Sequence, residues 1–144
     1  MRFWQTTCLV ILVFSNSQHS SETKAKHEAV LDGNWKPVGT GYTDMFLMIR
    51  SRQKQTEMLV VYGGGARYYS NVTIACESMN CDIFDGGKKI CALQIITNES
   101  LRMVKPPEIK VRQKYGSQRI STFEFVEANT EFKRTENTSF DWPD

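Results

Sequence analysis

The side chains that most often carry enzyme chemistry are sparse in this sequence of 144 residues. Its two histidines, His19 and His27, both lie near the N-terminus, in or beside what looks like a leader. A Ser-His-Asp or Cys-His arrangement, or a multi-histidine zinc site, would therefore have to be built without histidine from the rest of the chain. The sequence predicts a protein that is not an enzyme and needs no cofactor or metal.

Acidic pairs and glycines offer two further patterns, and neither is specific for chemistry. Asp82 and Asp85 fall at turn or exposed positions, where a solvated surface role is the ordinary one. The glycine-rich stretch 62–67 lacks both the Lys-Ser/Thr ending and the following helix of a phosphate-binding loop. We interpret it as a hairpin loop between two strands.

Three cysteines remain after the leader, Cys76, Cys81 and Cys91, which is an odd number. The segment between Cys81 and Cys91 reads as a hairpin that turns at its central glycines, with the two cysteines symmetric about Gly86. Directly opposed residues of antiparallel strands come close enough to bridge, so the sequence predicts a Cys81–Cys91 disulfide, with Cys76–Cys91 as the alternative. In the preferred pairing Cys76 is free, buried or paired between chains.

A basic row is the one local charge asymmetry. Lys110, Arg112 and Lys114 recur at period two within the segment 105–119, so they would line one face of a strand. Such a row could bind a sulfated sugar or a lipid phosphate, or it could be an edge strand that lysines protect against aggregation. Over the whole chain 18 Lys+Arg face 16 Asp+Glu, a net charge of +2, which argues against a nucleic-acid partner.

The N-terminus has the pattern of a secretory leader. Met1-Arg2 gives a positive start, residues 8–14 form an apolar run, and small residues at 15 and 17 suit cleavage, so residues 1–17 are predicted to be a signal peptide. The apolar run is too short to span a bilayer, which needs about 20 residues. We expect a secreted, extracellular protein with no membrane span, a mobile N-terminal arm at 18–30 and a C-terminal tail at 137–144.

Three acceptor sequons agree with that route, at Asn71, Asn98 and Asn137. A glycan must lie on a solvent face, so a modified Asn71 would turn Val72 and Ile74 inward. The sequence therefore predicts a glycoprotein.

Short apolar runs separated by Gly, Asn, Asp or Pro clusters dominate the rest of the chain. They predict nine strands, at 46–50, 57–62, 68–76, 81–84, 89–97, 101–104, 109–112, 120–126 and 131–134. Regular spacing without a helical stripe is typical of an antiparallel barrel or a β-sandwich. We therefore predict one all-β domain over residues 31–136.

Alternation within these strands predicts a set of inward-facing apolar side chains. They would form either a solid core or the wall of an interior cavity that holds a ligand. The predicted ligand-lining residues are Met48, Val60, Val72, Ile74, Leu93, Ile95, Phe123 and Phe125.

Gly33 and Trp35 place a Gly-x-Trp at the start of this all-β domain, which resembles the opening of the calycin superfamily: the lipocalins and their avidin-like and fatty-acid-binding relatives. The resemblance implies a single antiparallel up-and-down β-barrel, with the β-sandwich as the alternative. It also implies that Trp35 closes one end of the barrel, covered by Arg134 from the last strand, with Lys133 as a substitute. A cation on an indole face contributes about 0.5–2 kcal/mol.

Two functions follow as hypotheses. The first is a secreted carrier or scavenger that holds a small apolar or amphipathic ligand inside the barrel. The second is a partner-binding or inhibitor module whose extracellular protein partner contacts surface loops such as 62–69 or the basic strand.

Overall fold

The structure is a computed structural model that describes residues 26–39, 41–112, 120–136 and 141–143. The predicted signal peptide, the first part of the predicted arm and most of the predicted tail lie outside the described residues. The end of the arm is described, and residues 26–31 form a short helix. No helix in these ranges is long and apolar enough to cross a membrane.

Eleven strands follow the helix in the described ranges. They are β1 (Gly33–Pro37), β2 (Phe46–Arg52), β3 (Gln55–Tyr62), β4 (Gly65–Tyr69), β5 (Val72–Glu77), β6 (Asn80–Asp85), β7 (Lys88–Thr97), β8 (Ser100–Lys105), β9 (Glu108–Arg112), β10 (Ile120–Glu124) and β11 (Thr130–Arg134). The all-β prediction is confirmed. Two details differ from the prediction. The strand β1 was not among the nine predicted strands, and the predicted strand 68–76 is divided in two by a bend at Ser70 and Asn71.

Nine strands form one nearly closed antiparallel sheet in the order β4-β3-β2-β1-β11-β8-β7-β6-β5. The remaining two, β9 and β10, form a separate hairpin that is inserted between β8 and β11. Each neighbour in the large sheet is antiparallel, so the two edge strands, β4 and β5, run in the same direction. Since only the bend at Ser70-Asn71 separates them, they are two halves of one bent segment that pairs first with β3 and then with β6. The barrel is thus an up-and-down meander of eight staves.

One end of this barrel, here called the closed end, is sealed where the first and last strands pair. Trp35 lies opposite Arg134 in the β1–β11 register, and the Arg134 guanidinium carbon is 4.3 Å from the Trp35 ring centroid. The Trp35 ring is fully buried, and its Nε1 donates a hydrogen bond of 2.9 Å to the carbonyl of Leu31. Arg134 donates from Nη2 to the Val30 carbonyl and from Nη1 to the Asp32 carbonyl, both at 2.7 Å. Together the two side chains bind three successive carbonyls at the C-terminus of the short helix, which satisfies groups that a helix end leaves unpaired.

The barrel interior is packed with apolar side chains, which form one continuous cluster. Its members include Leu31, Trp35, Leu47, Ile49, Met58, Val60, Val72, Ile74, Ile83, Leu93, Ile95, Leu101, Met103, Phe125 and Phe132. A smaller second cluster lies on the outer face of β2 and β3, and consists of Phe46, Met48, Leu59 and Val61. The C-terminal Trp142 packs against this outer cluster, and the Arg50 guanidinium lies 4.1 Å from its ring centroid. Both faces of β2 are therefore covered, which accounts for its run of four apolar residues.

The disulfide joins Cys76 to Cys81, so the predicted Cys81–Cys91 pairing is wrong. Cys76 and Cys81 are directly opposite in the β5–β6 hairpin, whereas Cys81 lies opposite Leu93. Gly86 and Gly87 both have positive φ angles, 57° and 81°, and make a two-residue turn, which places the centre of the hairpin between them. A bulge at Ile83 and Phe84 then shifts the register by one further residue.

Cys91 is the free cysteine of the described residues and is fully buried beside β6. Burial raises the pKa of its thiol from an ordinary value of 9.0 to about 12, because the thiolate would lose its hydration. In the unfolded chain the same thiol ionises near its ordinary value. The unfolded state therefore releases a proton first as the pH rises, and folding stability falls.

We expect the free energy of unfolding to drop by about 1.4 kcal/mol per pH unit between about pH 9 and pH 12 through Cys91 alone. Urea unfolding at a series of pH values measures this decrease in the free energy of unfolding. Cys91→Ala is the matched variant, because it has no thiol to ionise. Tyr69 and other groups titrate in both proteins, so the difference between the two curves isolates Cys91. Parallel curves for the two proteins would contradict the assignment.

Candidate ligand-binding cavity

A cavity of about 430 Å³ lies at the end of the barrel opposite Trp35, here called the open end. Because strand direction alternates around the barrel, the β3–β4 turn, the β6–β7 turn and the link from β8 to β9 all meet at this end. Each of the three contributes to the wall. The volume lies within the range of small-molecule sites, about 300–1,000 Å³.

Aromatic and aliphatic side chains form part of the wall. They are Tyr62, Ala66, Tyr69, Ile90, Pro106 and Ile109. Tyr69 and Ile109 are buried and belong to the interior cluster, so the apolar side of the cavity is continuous with the core. The ring of Phe123, from the β9–β10 hairpin, contacts the Tyr62 ring edge-on at a centroid distance of 5.8 Å. This contact places the hairpin beside the cavity.

Charged side chains form the rest of the wall, and the cations among them outnumber the acids. The five cations are Arg67, Lys88, Lys89, Lys105 and Lys110, and the two acids are Asp85 and Glu108. Arg67 points inward because it lies opposite the core residue Val60 in the β3–β4 register, and its guanidinium carbon is 5.4 Å from the Tyr69 ring centroid.

Tyr69 brings a phenol hydroxyl to the buried part of the apolar side. Burial raises the pKa of Tyr69, and the nearby Arg67 cation opposes this effect. The hydroxyl is therefore protonated at neutral pH, when it can donate or accept a hydrogen bond. Within the described ranges, no three His, Cys, Asp or Glu side chains are grouped closely enough to hold a metal ion. What the cavity offers is a place to bind a molecule with both an apolar and a polar part.

The eight predicted ligand-lining residues lie elsewhere than in this cavity. Six are in the interior cluster: Val60, Val72, Ile74, Leu93, Ile95 and Phe125. Met48 belongs to the outer cluster instead, because Leu47 and Ile49 on either side of it point inward. Phe123 is 41% exposed on the β9–β10 hairpin and reaches the cavity only through Tyr62.

Two segments of the cavity wall were predicted from the sequence, but as separate surface features. The predicted loop 62–69, which the structure shows to be the β3–β4 turn followed by β4, and the basic segment beginning at Lys105 both contribute to the wall at the open end. The available signal was the alternation of strand direction, which puts every second connection at the same end of an up-and-down barrel. Of the basic row, Lys110 lines the cavity, the backbone of Arg112 is in β9, and Lys114 lies outside the described residues.

Two of the three predicted glycosylation sites are described. Asn71 lies at the bend between β4 and β5 and Asn98 in the β7–β8 turn, and both are exposed. Asn137 lies outside the described residues. Neither described asparagine is itself a wall residue of the cavity.

Comparison of the chain with protein-family models, with curated proteins and with solved structures found no match.

Proposed function

We propose that this chain is a secreted glycoprotein that binds a small amphipathic molecule at the open end of its barrel, as a carrier or scavenger. The observation that carries the proposal is the mixed wall of the cavity, in which buried Tyr69 and Ile109 adjoin a row of cations. An apolar body would be removed from water against this side of the wall, where the half-buried Tyr62 and Ile90 present apolar surface, while a polar head would stay near the cations. The leader pattern and the exposed Asn71 and Asn98 support secretion and glycosylation.

We further propose that the fold is calycin-like. Two observations support this: the up-and-down order of the eight staves, and the contact between Trp35 and Arg134 at the closed end. The proposal differs from the sequence-based hypothesis in the position of the ligand. The residues that were expected to line an interior cavity pack against one another, and the space for a ligand lies above them at the open end.

A reporter tryptophan in the cavity wall tests this function. Tyr62→Trp keeps an aromatic ring on the wall, and we expect its emission to change saturably on titration with either decanoate or decan-1-ol. Ile96→Trp is the control, because Ile96 is an exposed strand residue near the β7–β8 turn, at the closed end. Its emission should not change beyond that of the parent protein, whose Trp35 and Trp142 are also outside the cavity.

Either of two results would contradict the proposal. One is the absence of saturable binding with both probes, and the other is an equal response of the two reporter variants. Mass spectrometry of an organic extract of the purified protein is an independent readout, and a stoichiometric amphipathic molecule in that extract would identify the natural ligand.

A partner-binding module is the second candidate function. The observation that favours it is the β9–β10 hairpin, which exposes Ile120 at 59% and Phe123 at 41%. Exposed apolar residues are a common feature of surfaces that contact other proteins. A protein that fails both probe titrations but is captured through this hairpin would fit the second function.

A further inference from the structure

The cations of the cavity wall come from four different strands, yet they converge at one place. Arg67 is on β4, Lys88 and Lys89 begin β7, Lys105 ends β8 and Lys110 is on β9. The chain as a whole has a net charge of only +2, so the concentration of positive charge here is local. A cleft lined by one sign of charge concentrates the field and attracts ligands of the opposite sign.

Most of this charge is not neutralised by the protein itself. Lys89 forms an ion pair with Asp82, with 2.9 Å between Nζ and Oδ1. In the part of the chain that the structure describes, Lys88, Lys105 and Lys110 form no ion pair. The guanidinium of Arg67 faces the Tyr69 ring rather than a carboxylate.

Structural ion pairs occur elsewhere on this barrel, so an unpaired row is not the general pattern. Arg50 of β2 pairs at 2.5 Å with Glu57, which lies opposite it on β3, and Lys133 pairs at 2.9 Å with Glu131 of the same strand, β11. At the open end the acids Asp85 and Glu108 are too few to balance five cations. The wall therefore retains an excess of positive charge next to an apolar surface.

We propose that the ligand of this cavity is an amphipathic anion: a single carboxylate or sulfate head on an apolar body. This inference rests on the proposed function and adds the chemical class of the head group. The apolar body lies against the Tyr69 and Ile109 side, and the head is held by Lys105, Lys110 and Arg67. A cationic amphiphile is excluded by repulsion from the same residues.

Four probes that share one apolar chain and differ in the head test the inference: decanoate, decyl sulfate, decan-1-ol and decyltrimethylammonium. Binding is measured with the Tyr62→Trp reporter and by calorimetry, near neutral pH and below the concentration at which each probe forms micelles. We expect both anions to bind roughly ten-fold more tightly than decan-1-ol, and the cationic probe to bind least. The preference for anions should decrease as salt concentration rises, since the lysines are exposed and screened.

Removal of two lysine charges from the wall tests whether the preference for anionic probes comes from these side chains. The double variant Lys105→Gln/Lys110→Gln is expected to weaken decanoate binding roughly ten-fold and to leave decan-1-ol binding unchanged. Lys54→Gln is the matched control, because Lys54 is an exposed lysine in the β2–β3 turn at the closed end. It should change neither affinity.

The outcomes separate this inference from the function on which it rests. If decan-1-ol binds as tightly as decanoate and the double variant behaves like Lys54→Gln, the amphipathic site stands and the anionic head group is overturned. If none of the four probes binds saturably, both are overturned. Tight binding of decyltrimethylammonium alone would also overturn the anionic class, and would assign the head group to Asp85 and Glu108.

Discussion

Replacement of Arg134 with alanine is expected to lower the free energy of unfolding by about 3 kcal/mol. The guanidinium donates hydrogen bonds to the carbonyls of Val30, Asp32 and Asn98, and it covers the Trp35 ring. Loss of these donors leaves carbonyl groups without partners at the closed end, and it also removes the cation–π contact. Urea or guanidinium unfolding, followed by circular dichroism, measures the change.

Two variants show whether the effect belongs to this geometry. Lys133→Ala removes the neighbouring cation, whose ion pair with Glu131 is exposed, and should cost less than about 0.5 kcal/mol. Arg134→Lys keeps the charge but not the planar fork that reaches several carbonyls at once, so it should recover only part of the loss. Equal stability of Arg134→Ala and Lys133→Ala would contradict the role that the structure gives to Arg134.

Gly33→Ala is expected to destabilise the protein by about 2 kcal/mol, although it adds only one methyl group. Gly33 has a φ angle of +141°, a conformation that residues with a Cβ rarely adopt. An added Cβ would also overlap Nη1 of Arg134, which is hydrogen-bonded to the Asp32 carbonyl. The same unfolding experiment measures the effect, and Gly64→Ala is the control, because a Cβ at Gly64 meets open space.

A double-mutant cycle separates the two causes. In the Arg134→Ala background the steric overlap is absent, so Gly33→Ala should then cost only the backbone strain. The two substitutions are therefore expected to be less than additive. Strict additivity would show that Gly33 and Arg134 do not interact, and the close packing at the closed end would be contradicted.

This packing gives a physical reason for a glycine two residues before Trp35. The glycine allows the approach of Arg134, and the tryptophan two residues later provides the ring on which Arg134 lies. The all-β class was also predictable, because β-branched and aromatic runs with frequent turn residues carry that signal locally. Strand positions were predicted well where a short turn separates two apolar runs: the predicted strands 89–97 and 101–104, on either side of Asn98-Glu99, correspond to β7 and β8.

The wrong predictions concern features that depend on contacts between distant segments or on one residue of strand register. Cys81 and Cys91 looked symmetric, but a two-residue turn and a bulge move the partner of Cys81 to Leu93. Met48 was assigned to the interior by alternation along β2, but it is Leu47 and Ile49 that face inward, and the outer face with Met48 is also covered, by Trp142 at the far end of the chain. No local period in β2 contains that information.

The cavity was hidden from sequence reasoning for a related reason. Arg67, Lys89 and Lys105 belong to separate segments, and each alone looks like an ordinary exposed cation of a strand end. Only the closing of the sheet brings them together. The sequence predicted a small apolar or amphipathic ligand inside the barrel, but it could not indicate which end of the barrel holds the space for it.

The pairing of β1 with β11 can form only late in the synthesis of the chain. Arg134 and Val30, which it binds, are 104 residues apart, so the closed end cannot form until nearly the whole domain has left the ribosome. Until then β1 has β2 on one side and an open row of amide and carbonyl groups on the other. Contacts of such long sequence separation are slow to form, and the waiting edge can pair with other chains. Pairing of β11 with β1 therefore removes an edge through which the growing chain could aggregate.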